Sequence, residues 1–365
     1  MNRRQFLASA CTGAALLGTR LLARDRSAAD GPARSAGAAK LKNWAWMRGE
    51  VGSLDDWKRT LSEMRGFGID AVLIGGNADF YRAHAAPAKD EGIDVHAWIF
   101  TMMRGENVKT HPEWYAVSRK GVSTAQKPPY VDYYRFMCPS RDEVRDYLRG
   151  YVRELASVEG LAGVHLDYIR YPDVILPVAL WPKYNLVQDK EYPEFDFCYC
   201  SACRDRFKRQ SGLDALQIED PASHRAWLQY RYDSITEVVS LLSAEVRAHG
   251  KQTTCAVFPT PDIARRLVRQ EWTKWKVDAV LPMLYHAFYK QDVPWIEPAT
   301  REGVVALGGR IPLYAGLYVP DLPPADLARA ARYALAGGAS GISVFQGNTL
   351  APEHWKQLAG VIGSH

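Results

Sequence analysis

The segment Gly163–Pro172, Gly-Val-His-Leu-Asp-Tyr-Ile-Arg-Tyr-Pro, concentrates the groups of this chain best suited to chemistry: His165, Asp167, Tyr168, Arg170 and Tyr171. Its first half reads as a short apolar strand. Side chains alternate along a strand, so His165 and Asp167 share one face, and Val164, Leu166 and Tyr168 share the other. A carboxylate at the outgoing end of a buried strand is costly to bury without a partner. Two roles fit Asp167. One is structural, with Arg170 or a loop amide as partner. The other is catalytic, at the mouth of an α/β barrel, where active sites sit at strand C-termini.

A second constellation is Cys198-Tyr-Cys200-Ser-Ala-Cys203, with Cys138 upstream in Phe136-Met-Cys138-Pro-Ser140. In a barrel the two loops that carry them are neighbours. Four thiolates from adjacent loops suit a tetrahedral zinc site, with Cys138, Cys198, Cys200 and Cys203 as ligands. Four sulfur ligands leave no open coordination position, so such a metal staples loops and performs no reaction. The alternative is disulfides in an oxidising compartment. Cys198 and Cys200 are too close in sequence to bridge each other comfortably, so each then needs a partner elsewhere. Cys255, inside a predicted strand, reads as core.

These residues need a frame, and residues 41–365 alternate strand and helix patterns. Predicted strands run over residues 41–47, 71–74, 94–100, 163–168, 253–258, 278–285, 312–318 and 341–346. Ser53 and Asp56 form a capping box for the first helix, with Leu54, Trp57, Leu61, Met64 and Phe67 as its buried stripe. The helix over 79–91 contains Pro87, which predicts a short or kinked element. Ser140 with Glu143 predicts a second capping box, for a helix to about Val158. A short helix is expected around 202–210. A long one is expected from Asp220-Pro221 through His249. Further helices are expected from Pro261 to about Trp275, over 294–302, over 325–336 and over 352–362. Eight strand–helix units in about 320 residues predict one TIM (β/α)8 barrel. An open doubly wound sheet needs a Gly-rich phosphate turn after strand 1, and Arg48-Gly49-Glu50-Val51-Gly52 is not one. Long loops follow strands 3 and 4, on the expected active-site face.

Composition bounds the partners. The chain has 365 residues and a formal net charge of +5. Residues 1–40 hold seven Lys/Arg and two Asp, so the remainder is neutral. A neutral body gives no electrostatic case for nucleic acid or an anionic membrane. The start, Asn2-Arg3-Arg4-Gln5-Phe6-Leu7, resembles the twin-arginine export signal. The weakly apolar run that follows is too short and too rich in Gly, Ala and Thr for a spanning helix. The resemblance implies passage through the twin-arginine machinery, a periplasmic or secreted location, and a cargo folded with its metal before export. Cys11 lies too close to the arginines to leave a full apolar run ahead of a lipid anchor.

Two resemblances bear on activity. One Cys before the third helix, followed by Cys-x-Cys-x-x-Cys after strand 4, is similar to the structural zinc site of family 42 β-galactosidases. Those enzymes carry a catalytic Glu after an Asn on strand 4 and another on strand 7. Here strand 4 ends in His-Leu-Asp167 and strand 7 has no acid, so galactosidase activity does not carry over. More broadly, His111-Pro-Glu-Trp114, Gly163–Pro172 and Pro282-Met-Leu-Tyr285 resemble the bacterial family-10-like glycosylhydrolase group, over nearly all of residues 41–350. That resemblance implies glycoside hydrolysis with Asp167 on the catalytic carboxylate.

Glycosidic cleavage ordinarily needs a second carboxyl group. Glu106, after strand 3, is the favoured partner, with Glu50, Asp173 and Asp262 as alternatives; Asp262 is most simply a helix cap. Arg104 or Arg170 would lower the pKa of an ionised Asp167. Trp98, Tyr285, His286, Tyr314, Tyr318 and Gln346 are expected to line the mouth, with His165 as a buried orienting partner of Asp167. A catalytic metal at His165, Asp167 and His286 lacks supporting spacing. Two functions result: an exported glycoside hydrolase acting on a poly- or oligosaccharide, with structural zinc and no organic cofactor, or a carbohydrate-binding barrel that has lost its acid pair.

Overall fold

A computed structural model describes residues 41–48 and 51–363. The expected export signal and Glu50 lie outside the described residues. Eight parallel strands, β1 Trp44–Met47, β2 Ala71–Ile74, β3 Asp94–Phe100, β4 Gly163–Asp167, β5 Gln252–Val257, β6 Ala279–Pro282, β7 Ala315–Tyr318 and β8 Ile342–Phe345, pair in the order β6-β5-β4-β3-β2-β1-β8-β7. Parallel bridges Val280–Leu313 and Met283–Gly316 join β6 to β7 and complete the ring. Helices α1 Leu54–Gly66, α2 Ala78–Asp90, α3 Asp142–Ala156, α4 Ser201–Ser211, α5 Arg225–Ala248, α6 Pro261–Val268, α7 Ile296–Leu307, α8 Pro324–Ala336 and α9 Pro352–Ile362 lie in the connections and after β8. This is the expected (β/α)8 barrel.

Strand alternation divides the buried residues into two layers. Ala45, Met47, Val72, Ile74, Val95, Ala97, Val164 and Leu166 belong to the continuous apolar core between strands and helices. Their neighbours face the axis. Trp44 of β1 meets His96 of β3 edge-on at 4.9 Å, and Trp46 meets His165 of β4 at 4.9 Å. Contacts between strands that are not neighbours are possible only across the barrel interior. Nδ1 of both histidines lies within hydrogen-bond distance of the Thr254 hydroxyl on β5, at 3.2 and 2.8 Å. Burial lowers both imidazole pKa values, that of His96 to about 3, so both rings are neutral.

Where elements depart from sequence expectation, a tertiary partner or a local turn is responsible. The Ser53–Asp56 capping box forms as expected. The Ser140–Glu143 box does not: α3 starts at Asp142, and Ser140 Oγ bonds the Tyr230 hydroxyl of α5 at 2.8 Å. Helix α2 runs through Pro87 without a break, because Pro87 sits near its C-terminal end and removes one bond only. Helix α5 begins at Arg225, capped by His224, because Asp220 closes a turn onto Ala222 and Ser223. Helix α6 ends at Val268, where Arg269 turns left-handed (φ 58°). Its N-cap is Thr260, with Asp262 in the first turn beside the positive helix end.

The long connection after β4 is anchored through buried polar groups. Arg231 of α5, fully buried, pairs with Asp196, and Tyr199 donates to the same carboxylate at 2.5 Å. Removing one partner of such a buried pair strands the other charge.

Gly163 opens β4 where no side chain fits. A Cβ there would lie 2.4 Å from the Gln252 carbonyl and 2.4 Å from His96 Cε1. Gly163→Ala is therefore expected to destabilise the fold by about 2–3 kcal/mol, through displacement of β5 or of the His96–Thr254 contact. Urea unfolding checks this; an unchanged midpoint would show that this part of the barrel is not close-packed.

Candidate functional site

Asp167 ends β4 with its carboxyl toward the axis, 6% exposed. The indole Nε1 of Trp98 on β3 donates to Oδ2 at 3.0 Å. The chain then turns left-handed at Tyr168 (φ 49°), and the Tyr168 N–H donates to Oδ1 at 2.7 Å. Among the described residues no cation hydrogen-bonds to this carboxyl. Burial pushes the carboxyl pKa up to about 6, although both hydrogen bonds and the more distant Arg170 charge pull it down.

Aromatic rings wall this carboxyl. Trp98 packs edge-on against Trp46 at 5.4 Å and against Phe345 at 6.2 Å. Phe345 stacks on Tyr318, which tilts against Tyr285 at 5.0 Å. The Tyr285 hydroxyl is raised well above its ordinary pKa by burial and then by the Asp167 charge, which places it beside that carboxyl. Phe100 meets Tyr168 at 5.0 Å on the opposite flank. Trp98 and Tyr285 therefore lie where the sequence predicts them.

Other expected members lie elsewhere. Arg170 does not bond Asp167: its Nη1 donates to Asp173 at 2.9 Å and its Nη2 to the Tyr134 hydroxyl at 2.7 Å, in a buried cluster. Asp173, an alternative second acid, is consumed there and also accepts from Tyr134. Glu106 accepts from Arg104 Nε at 2.5 Å and from the Tyr147 hydroxyl of α3 at 3.0 Å, with Arg104 over the Tyr151 ring. This carboxyl is drawn onto the helix layer, whereas Asp167 faces the axis. Burial raises its pKa, but the Arg104 charge and the hydrogen bonds outweigh burial and leave it lowered. His165 makes no bond to Asp167; Thr254 takes its Nδ1, so it backs the site through Trp46. Tyr314 precedes β7 and packs on Trp44 at the opposite end of the barrel from Asp167. His286, also predicted for the mouth, is buried in the turn after β6.

Sequence reading missed four residues. Phe345 and Phe100 are inward strand-end rings that alternation alone could have found. Arg48, past the end of β1, follows Trp46 on the inward side and forks onto Gln346. Asp321, after β7, is partly buried, and burial raises its carboxyl pKa.

The cysteines meet as expected. All four Sγ atoms lie within 4.8 Å of one another, with Cys138 at 3.4 Å from both Cys200 and Cys203. None is in a disulfide. A tetrahedron of sulfurs about 2.3 Å from a metal has edges near 3.8 Å, so the group suits a metal ion. The Val117 N–H points at Cys198 Sγ at 3.3 Å, the kind of outer contact that supports a thiolate ligand.

No protein-family model matches the chain, and no curated protein matches it in sequence. Solved structures do match in fold. The PgaB (BpsB) glycoside hydrolase domain from Bordetella bronchiseptica is 11% identical, over 88% of this chain and 99% of that one, with a TM-score of 0.68. A GH42 β-galactosidase from G. stearothermophilus is 12% identical, over 90% of this chain and 58% of that one, with a TM-score of 0.60. The catalytic domain of β-amylase from Paenibacillus polymyxa is 12% identical, over 89% and 98%, with a TM-score of 0.58. The chain thus spans little more than half of the galactosidase it matches. At these identities the likeness is one of fold.

The raised Asp167 pKa has a consequence for stability. The folded state holds its proton up to about pH 6, the unfolded chain only to about 3.8. Its stabilising contribution is complete below pH 3.8 and is lost as pH rises through 6. Relative to Asp167→Asn, the wild type is expected to lose about 3 kcal/mol between pH 3.5 and 7. Urea midpoints of both proteins across that range check the sign; parallel curves would place the carboxyl in water.

Proposed function

We propose that this chain is an exported glycoside hydrolase with Asp167 as its acid. The observation that carries the reading is a buried strand-end carboxyl, protonated to about pH 6 and walled by aromatic rings of the kind that stack on sugar faces. Asp167 then gives its proton to the glycosidic oxygen as the C–O bond breaks, and water adds to the anomeric carbon. The water or nucleophile step needs a second, ionised carboxyl. Asp321, after β7, is the described acid offered for it, ahead of Glu106; Glu50, after β1, is the third choice. The fold likeness to glycoside hydrolases supports the class and leaves sugar and linkage open.

The second reading is a carbohydrate-binding barrel without turnover. It is favoured by one observation, the capture of Glu106 by Arg104 and Tyr147. A panel of aryl glycosides and a reducing-sugar assay on polysaccharides separate the two. Asp167→Asn is expected to reduce turnover about 10²- to 10⁴-fold, Asp321→Asn by a similar factor, and Glu106→Gln by less than about tenfold. Turnover by Asp167→Asn equal to that of the wild type would remove this residue from the mechanism.

For the cysteine group the reading is structural zinc, held by Cys138, Cys198, Cys200 and Cys203. When bound, zinc joins the loops after β3 and β4 and leaves no position for substrate. Purified protein is expected to contain about one equivalent of zinc, and Cys203→Ser to lose it together with several degrees of thermal midpoint. Elemental analysis below about half an equivalent would count against the site. For export, the paired arginines Arg3-Arg4 ahead of Phe6-Leu7 support a twin-arginine route to the periplasm or beyond.

A further inference from the structure

Three arginines gather at or behind the strand ends that carry Asp167. Two are neutralised: Arg104 by Glu106 and Arg170 by Asp173. Arg48 is held differently. The alternation of β1 carries it to the side of Trp44 and Trp46, over the axis. With the Gln346 amide turned so that its oxygen faces the guanidinium, Nε and Nη2 donate to that oxygen at 2.8 and 3.0 Å. The Arg48 backbone is tied to Asn348, its N–H to Oδ1 at 3.4 Å and its carbonyl to Nδ2 at 3.2 Å. Among the described residues no carboxylate pairs with it. A permanent cation, partly buried and gripped by the neutral Gln346 amide on its Nε side, keeps its Nη1–Nη2 edge clear of every described carboxylate, ready for a ligand. That edge is a planar fork, and a carboxylate matches it with two parallel hydrogen bonds.

We propose that Arg48 reads a carboxylate on the bound sugar, so that this mouth takes uronate-containing saccharides. The proposal deepens the hydrolase reading by naming a substrate class. The competing role for Arg48 is a latch that ties β1 to the turn after β8. Binding separates these, and turnover is not needed.

Affinities of the full-length protein for D-glucuronate and D-galacturonate are compared with those for D-glucose and D-galactose at low ionic strength, by titration calorimetry or protein-observed NMR. At least one uronate is expected to bind tenfold or more tightly than its neutral counterpart, roughly what one charge-assisted fork contributes. The preference is expected to shrink as salt is raised. Arg48→Met removes the fork and is expected to abolish the preference. Gln346→Glu keeps the shape of the contact while placing a carboxylate on the guanidinium; it is expected to abolish the preference with the thermal midpoint unchanged. This second variant decides the matter if Arg48→Met does not fold. A uronate that binds no more tightly than its neutral sugar, or a preference that survives Gln346→Glu, overturns the proposal. Loss of the hydrolase reading through an inert Asp167 leaves this binding result standing.

Discussion

The burial of one carboxyl group, held by an indole N–H and a backbone N–H with no cation among the described residues bonded to it, is the constraint on which the mouth of this barrel depends. Asp167 loses most of its hydration and regains two hydrogen bonds, which is too little to keep it fully ionised at mildly acidic pH. The left-handed turn at Tyr168 brings the second donor back onto the carboxyl and ends β4 at that point. Trp98 must stand with its nitrogen toward the axis, so its ring joins Trp46 and Phe345 in the interior. The arrangement of these rings and the proton affinity of the acid therefore have one cause.

The same economy explains why Arg170 lies apart. Against Asp167 it would lower the carboxyl pKa further. Its guanidinium is instead filled by Asp173, Tyr134 and the Tyr171 carbonyl, while the Tyr168 and Phe258 rings flank it. This buried group organises the loop after β4 from within. The Arg231–Asp196 pair anchors that loop to α5, and the cysteine group draws it to the loop after β3. Long loops lose much conformational freedom on folding. Three separate cross-ties on the connections after β3 and β4 hold this face of the barrel in one arrangement.

Below the mouth the interior is aromatic and neutral. His96 and His165 share one threonine hydroxyl, and burial keeps both uncharged. A hydroxyl has one proton, so at least one of the two imidazoles must donate to Thr254 through Nδ1. The column is therefore ordered in its tautomers as well as its packing. It stiffens the floor on which Trp98 and Asp167 rest.

By itself, the sequence determined whatever depends on local periodicity and covalent spacing. The bounds of β2, β3 and α9, the Ser53 cap, the eightfold alternation and the inward face shared by His165 and Asp167 could all be read from it, because each follows from the repeat of a strand or helix. The assembly of Cys138 with Cys198, Cys200 and Cys203 was legible for a related reason: barrel order makes the third and fourth loops neighbours. Tertiary structure alone decided what competing partners decide. Ser140 was free to cap α3 until Tyr230 offered its hydroxyl; Glu106 could reach the mouth until Arg104 and Tyr147 claimed it; Arg170 could meet Asp167 until Asp173 took its fork. A polar side chain has several partners within reach in sequence and satisfies the one that burial presents, and which one that is depends on packing across the whole barrel.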